Sequence, residues 1–302
     1  MPTPTPTEVR RKFNFIIEHP KAGWLAGSRR ERLRVAPVST LAKAFVRRAI
    51  FLLVRLHLFP TVIRAKTFLG TVYAPVWGAL PLIETGFNGG EGEDTKLTKF
   101  IIDTVKPGDI FIDGGANYGW YSLLANALGA KVLAIEPTKK TFEVLSKNAE
   151  GKNIAAYQAA LWSSVGEMEF HDLGFEKNVS NTLDPTKNMS EEEQKRKTTT
   201  YKVRTLGLDD LPVADFIKLD CEGVEYEILS TAKRALESKP ILAVELLDVA
   251  RKSGVAERTV ELLKGKGYVG YYIDENFRLA PLKNKGEAPV VNAIFLPAEI
   301  AV

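Results

Sequence analysis

Cysteine and histidine are scarce in this chain, and it has no long apolar run. A single cysteine, Cys221, excludes an intrachain disulfide and any cysteine-cluster zinc site, which fits a reducing compartment. Three scattered histidines, His19, His57 and His171, leave no histidine metal site, and none is near Cys221 to activate it. The expected role of that cysteine is a small buried hydrophobe. No resident metal ion is expected, the alternative being a divalent ion held by the oxygens of Asp220, Glu222 and Glu245. The longest apolar stretch, Ala49 to Phe59, contains Arg55 and His57 and falls well short of the ~20 residues that cross a bilayer. No apolar segment follows the charges of the amino-terminal Glu8-Val-Arg-Arg-Lys12, so a secretory signal is not expected and the cytoplasm is the expected compartment.

At 302 residues the chain has room for one large α/β domain and an appendage. The net charge of +4 is unevenly spread: residues 1–66 hold 14 Lys or Arg against three Glu, and the remainder is net negative by seven. The expected division is a basic extension, 1–85, with an amphipathic helix and short strands, followed by a catalytic domain, 86–302. The Pro-Thr alternation of residues 2–7 is expected to be a disordered tail. From Ser39 to Phe59 the pattern is helical, with Lys43, Arg47, Arg48 and Arg55 in one arc and Leu41, Phe45, Leu52, Leu53 and Leu56 opposite. Such a helix either lies against an anionic membrane surface or packs its apolar face on the catalytic domain. Phe51 is the only aromatic residue among those charges, too few for a platform on which bases stack, so no nucleic-acid partner is expected.

Residues 110–119 carry the sharpest chemical signal. An apolar strand, Ile110-Phe-Ile, runs into Asp113-Gly-Gly-Ala-Asn-Tyr-Gly119, and a helical pattern follows from Trp120. Gly114, Gly115 and Gly119 remove side chains where backbone turns sharply and approaches a ligand, while Asp113 places a carboxylate beside the helix start. Glu136 ends a second apolar run, Lys131-Val-Leu-Ala-Ile135, and is positioned to accept hydrogen bonds from both hydroxyls of a ribose. A dinucleotide site would want Gly-x-Gly-x-x-Gly, but position 116 is Ala. An acidic residue at the head of the turn suits a phosphate-free ligand with an ammonium and a cationic sulfur, and S-adenosylmethionine is such a ligand.

Strands and helices then alternate: strands at 110–113, 131–136, 154–159, 215–219 and 240–246, with helices at 94–105, 118–128, 138–149, 223–235 and 255–265. A further strand-like piece is at 166–172, a polar segment at 176–199, and an antiparallel pair, 268–273 with 291–296, closes one edge. Such alternation gives a mostly parallel sheet with helices on both faces. Its ligands bind where the strand order reverses, beyond the carboxyl ends of the strands. Asp113, Glu136, Gln158, Asp220 and Glu245 all stand at those ends. Lys218, Asp220 and Glu222 occupy alternate positions and can project to one face, as a structural ion-pair network or as a catalytic group. In the catalytic reading Asp220 approaches the reacting methyl or hydroxyl, Glu222 is an additional acid/base or orienting group, Lys218 is their charge partner, and Glu245 points over the acceptor.

Taken together, Asp113-Gly-Gly-Ala-Asn-Tyr-Gly119, Glu136-Pro137, Gln158-Ala-Ala-Leu161 and Lys218-Leu-Asp-Cys-Glu-Gly-Val-Glu225 resemble the FkbM-type S-adenosylmethionine-dependent methyltransferases, over residues 86–302 in order and spacing. The resemblance implies a class I methyltransferase fold, Rossmann-like and seven-stranded. It also implies cofactor contacts from Asp113, Gly114, Gly115, Ala116, Asn117 and Gly119 at the amino acid end, Glu136 and Pro137 at the ribose, Ala160 and Leu161 at the adenine, and Asp220 near the methyl group. Asp94 falls about where the family usually has a Glu close to the cofactor, and Asp113-Gly114 replaces the more usual Asp-Val pair. The implied reaction is methylation of a hydroxyl on a sugar, polyketide, lipid or related metabolite. The competing readings are a nicotinamide-dependent oxidoreductase and an inactive cofactor-binding module tethered by its basic helix.

Overall fold

The structure, a computed structural model, describes residues 3–18, 50, 52–54, 56, 58–76, 78–79, 82, 93–172, 199–246, 254–282 and 292–301. The chain divides into two compact units, Met1–Gly90 and Glu91–Val302. The expected boundary at 85/86 and most of the basic helix at 39–59 lie outside the described residues.

In the first unit, helix α1 (Pro6–Glu18) begins inside the stretch expected to be a disordered tail. The reason is local: Thr5-Pro-Thr-Glu8 is a capping box. Thr5 N–H donates to Glu8 Oε2 at 2.9 Å, Glu8 N–H donates to Thr5 Oγ1 at 3.3 Å, and Pro6 occupies the first helical position, where no donor is needed. Val9, Phe13 and Ile16 form its buried stripe, with the Phe13 ring 5.5 Å from that of Phe68. Strands β1 (Val62–Thr67) and β2 (Gly70–Pro75) form an antiparallel hairpin. No helix among the described residues is long and apolar enough to cross a membrane.

The second unit opens with α2 (Glu93–Thr104) and continues through β3 (Ile110–Gly114), α3 (Trp120–Ala127), β4 (Lys131–Ile135), α4 (Lys139–Ala149) and β5 (Ile154–Tyr157). After β6 (Ala160–Leu161), β7 (Gly166–Asp172) and β8 (Thr199–Leu206) come β9 (Phe216–Leu219), α5 (Glu225–Thr231), α6 (Lys233–Glu237) and β10 (Ile241–Glu245). Helix α7 (Val255–Gly265), β11 (Tyr268–Ile273), β12 (Leu279–Pro281) and β13 (Asn292–Pro297) complete it. The main sheet has the order β12-β11-β13-β10-β9-β3-β4-β5. Its five strands from β10 to β5 are parallel, and β13 runs antiparallel to both its neighbours. This is the class I methyltransferase arrangement, with β3 and β9 adjacent at the point where strand order reverses.

Three features depart in detail from the sequence pattern. The final pair is antiparallel, but β13 threads between β10 and β11 and the edge falls to β12, an eighth strand. All six β13 residues are buried, so a strand on each side is the position their apolar side chains require. Strand β8 was hidden by its charges: Val203 and Thr205 are buried while Lys202 and Arg204 are exposed, a period of two within an otherwise polar stretch. It pairs with β6 and β7 in a second, three-stranded sheet. The helix expected at 223–235 breaks at Ala232, where Asp209 accepts hydrogen bonds from the N–H groups of Lys233, Arg234 and Ala235 and so restarts the chain as α6.

Candidate active site

The turn between β3 and α3 is held from both sides. Gly115 and Ala116 N–H groups both donate to Ile135 O at 3.0 Å, binding the turn to the end of β4. On the other side it presses on the chain leaving β9: Gly115 has φ 69°, and a Cβ there would stand 1.8 Å from Asp220 O. No other residue type fits that position. Asn117 (φ 52°) donates its N–H to Glu136 Oε2 at 3.0 Å, Tyr118 N–H donates to Asn117 Oδ1 at 2.8 Å, and Gly119 N–H donates to Ala116 O at 2.8 Å. Every amide from Gly115 to Gly119 is thus committed inside the protein. A pyrophosphate would find none of these donors.

Glu136 is buried at the carboxyl end of β4. One oxygen accepts from Asn117 N–H and the other from Thr138 N–H at 2.9 Å, so the carboxylate is fixed while each oxygen retains a lone pair. Burial pushes its pKa up to about 7 against the opposing pull of those two hydrogen bonds. Pro137 is half-buried beside it. Ala160 and Leu161 are buried in β6, and Leu161 closes on the turn so tightly that a Cβ at Gly114 would stand 2.5 Å from Leu161 Cδ1.

Beyond the turn, the structure gathers Asp94, Asp113 and Asp220 around one buried cation, with Glu222 and Glu245 beside Asp220. Lys218 Nζ stands 3.1 Å from Asp220 Oδ2, 3.6 Å from Asp113 Oδ1 and 5.1 Å from the centroid of the Tyr121 ring. Burial alone would lower the Lys218 pKa, but the charges of Asp220 and Asp113 outweigh it and hold the lysine charged. Asp113 is wholly buried beneath the turn: Ser122 Oγ donates to its Oδ2 at 2.6 Å, and its other oxygen faces Lys218. Tyr121 donates its hydroxyl to Asp94 Oδ1 at 2.8 Å, which ties the start of α2 to the same network. Burial raises both Asp94 and Asp113 above the ordinary carboxylate range despite Lys218.

Asp220 and Glu245, at the ends of β9 and β10, form a carboxyl pair. Burial works against ionisation of Asp220, but Lys218 and a hydrogen bond from Glu245 hold its pKa low. Burial and then the Asp220 charge push Glu245 far above its usual range. Oxygens of Asp220, Glu222 and Glu245 all lie within 4.8 Å of one another. Glu222 reaches this position through a left-handed backbone (φ 57°) followed by Gly223 (φ 91°). Glu225 secures the bend: its buried Oε1 accepts from Cys221 N–H at 2.7 Å and Gly223 N–H at 3.3 Å, and burial pushes its pKa up to about 7. The chemical pattern of the sequence does not single out Glu225, although an acid in the first turn after a glycine is a capping signal. Burial raises the Cys221 thiol well above its usual value, so it is a thiol and not a thiolate. Gln158 is exposed after β5, and the polar segment 176–199 lies outside the described residues but for Thr199.

A family model, the methyltransferase FkbM domain, matches residues 113–269, just over half of the chain and all of the elements from Asp113 into β11. The chain belongs to the FkbM methyltransferase family. It is also similar to a hexuronic acid methyltransferase, AglP, of Haloferax volcanii, at 23% identity over 182 residues that cover 56% of this chain and 71% of that one. Among solved structures it is similar to P. horikoshii TYW2 in complex with MeSAdo (TM-score 0.42, 14% identity, 95% of this chain and 97% of that one). A second is a precorrin-6Y C5,15-methyltransferase from Geobacter metallireducens (TM-score 0.39, 15% identity, 70% and 91%).

As an FkbM methyltransferase the protein draws its methyl group from S-adenosylmethionine. Its residues fit that donor: an acidic rim suits a ligand with a sulfonium and an ammonium, and the fully committed amides of the turn suit one without phosphates. Family membership replaces the nicotinamide-dependent oxidoreductase reading. The Ala at position 116 and the internal hydrogen bonds of residues 115–119 give the physical reason.

Proposed function

We propose that this FkbM methyltransferase methylates a hydroxyl oxygen on a sugar or a related metabolite. The observation that carries the reading is geometric: Asp220, at the end of β9 with Lys218 Nζ 3.1 Å from its Oδ2, has oxygens of Glu222 and Glu245 within 4.8 Å. The donor supplies an electrophilic methyl on a good leaving group, so the protein's task is alignment. The glycine turn and Asn117 form the seat for the amino acid end, Glu136 with Pro137 takes the ribose, and Ala160 with Leu161 borders the adenine. Asp94 and Asp220 stand where the reacting end would lie, whereas Asp113 acts as a positioning residue that holds Lys218 and, through it, Asp220.

A hydroxyl need lose its proton only as the new bond to oxygen forms, so a weak base suffices. Asp220, ionised by Lys218, is that base. Glu245, at the end of the adjacent strand, orients it, and Glu222, on the same rim, orients the acceptor. The likeness to a hexuronic acid methyltransferase supports a sugar acceptor. Asp220→Asn tests the assignment: kcat should fall by roughly 10²–10⁴-fold, the contribution usual for a positioned acid or base, while S-adenosylmethionine still binds within tenfold of wild type by calorimetry. Undiminished methyl transfer would remove Asp220 from the chemistry.

A further inference from the structure

The chain leaving β9 has to place Asp220 and then bend away into α5. Its upstream side is held by the sheet: Asp220 N–H donates to Gly114 O at 3.1 Å, and Gly115 packs on Asp220 O too closely for any side chain to fit between them. Downstream the chain quits the sheet. Two consecutive residues there adopt left-handed backbone, Glu222 (φ 57°) and Gly223 (φ 91°), and only the glycine does so without strain. A turn of this kind holds its shape only if something ties it down. Glu225, the first residue of α5 and 2% exposed, supplies the tie: its Oε1 accepts from Cys221 N–H at 2.7 Å and from Gly223 N–H at 3.3 Å. Two backbone N–H groups converging on one oxygen make a small nest, which here encloses the chain's own carboxylate.

We propose that Glu225 is a positioning residue for methyl transfer: its Oε1 fixes the turn at 221–223 and, through it, the Asp220 carboxylate that meets the acceptor hydroxyl. The inference rests on the assignment of Asp220 as the base. Buried as it is, Glu225 presents nothing to the acceptor, and its effect on the rate passes through the alignment of Asp220.

Methyl transfer from radiolabelled S-adenosylmethionine to a hexuronate-bearing glycoside, measured for Glu225→Leu and Glu225→Gln alone and for Glu225→Leu combined with Asp220→Asn, tests this. Leucine offers no acceptor to the two N–H groups, so kcat should fall roughly 10- to 100-fold, as a displacement of about 1 Å at the reacting atoms costs. Acceptor KM and donor affinity should stay within about threefold of wild type, since no ground-state contact is removed. E225Q keeps an oxygen where Oε1 stands and should recover most of the lost rate. In the D220N background E225L should slow transfer by no more than about twofold further, because a residue acting through Asp220 has nothing left to position. A glutamate that merely stabilises the fold would slow both backgrounds by the same factor. Should E225L fail to fold, E225D, which draws the oxygen back by one methylene, makes the same comparison. A crystal structure of the variant reads the displacement without any acceptor: the Asp220 carboxylate should shift by about 1 Å or more from its place 3.1 Å from Lys218 Nζ. An unmoved Asp220, losses that multiply in the double variant, or E225Q as slow as E225L overturns the proposal. D220N as fast as wild type removes the base assignment and this inference together, whereas a slow D220N beside a fast E225L removes this inference alone.

Discussion

Replacing Lys218 with methionine is expected to remove the only side-chain cation that this site encloses among the described residues. The substitution keeps an unbranched side chain of similar length, so the packing against Tyr121 is largely retained and the change is chiefly electrostatic. Lys218 is 2% exposed and stands 3.6 Å from the wholly buried Asp113 and 3.1 Å from Asp220. Breaking a buried ion pair by removing one partner costs about 3–5 kcal/mol, because the remaining charge is left uncompensated. A domain's whole stability is about 5–15 kcal/mol, so the variant should unfold at a much lower urea concentration. The loss should also depend on pH. Burial already raises Asp113, and without Lys218 it rises further. A group whose folded-state pKa is raised contributes stability that is complete below its unfolded value, near about 4, and is lost as pH rises through the folded value. The deficit of K218M relative to wild type should therefore be largest at pH 8 and shrink toward pH 5, where Asp113 takes up a proton. Adding Asp113→Asn should restore at least half of the loss at pH 8, since the stranded charge is gone. Urea midpoints of the single and double variants at both pH values decide it. A loss below about 1 kcal/mol, or one equal at the two pH values, would refute the claim that Lys218 neutralises Asp113.

Because Glu136 titrates at about 7 in the free protein, S-adenosylmethionine should bind more weakly below that pH, by roughly tenfold per unit, as the acceptor of the ribose hydroxyls becomes protonated. Calorimetry from pH 5.5 to 8 should show this slope in wild type and a flat profile in Glu136→Gln. Its raised folded-state value also means that its stability contribution is lost as pH rises through about 7, so tightening donor binding and falling stability should run in the same direction of pH. Gly115→Ala should cost at least 2 kcal/mol of stability, roughly the strain of a left-handed backbone plus the clash with Asp220 O, and should abolish measurable donor binding; a wild-type melting curve would contradict the close approach of turn and β9. Leu52, Leu53, Leu56 and Leu58 are exposed, so a peripheral contact with an anionic membrane predicts that L52E/L56E reduces sedimentation of the full chain with phosphatidylserine vesicles at least severalfold, and equal sedimentation would count against this contact.

Local order along the chain was enough to reveal the alternation of strands and helices, the glycine turn, and the acids standing at strand ends. Periodicity and turn chemistry are properties of neighbouring residues, and Asp113, Glu136, Asp220 and Glu245 are each placed by the strand that precedes them. The capping box at Thr5–Glu8 was equally local and was obscured only by the proline-threonine composition around it. Tertiary structure alone decided what depends on distant segments meeting. The place of β13 between β10 and β11 follows from burial on both edges, and β8 needs β6 and β7 as partners before its alternation has a meaning. The enclosure of Lys218 by Asp113 and Asp220 and the approach of Asp220, Glu222 and Glu245 oxygens to within 4.8 Å of one another are effects of burial and proximity across strands. Sequence named the ionisable groups, and the desolvation and neighbours that set their charge exist only once the sheet has formed.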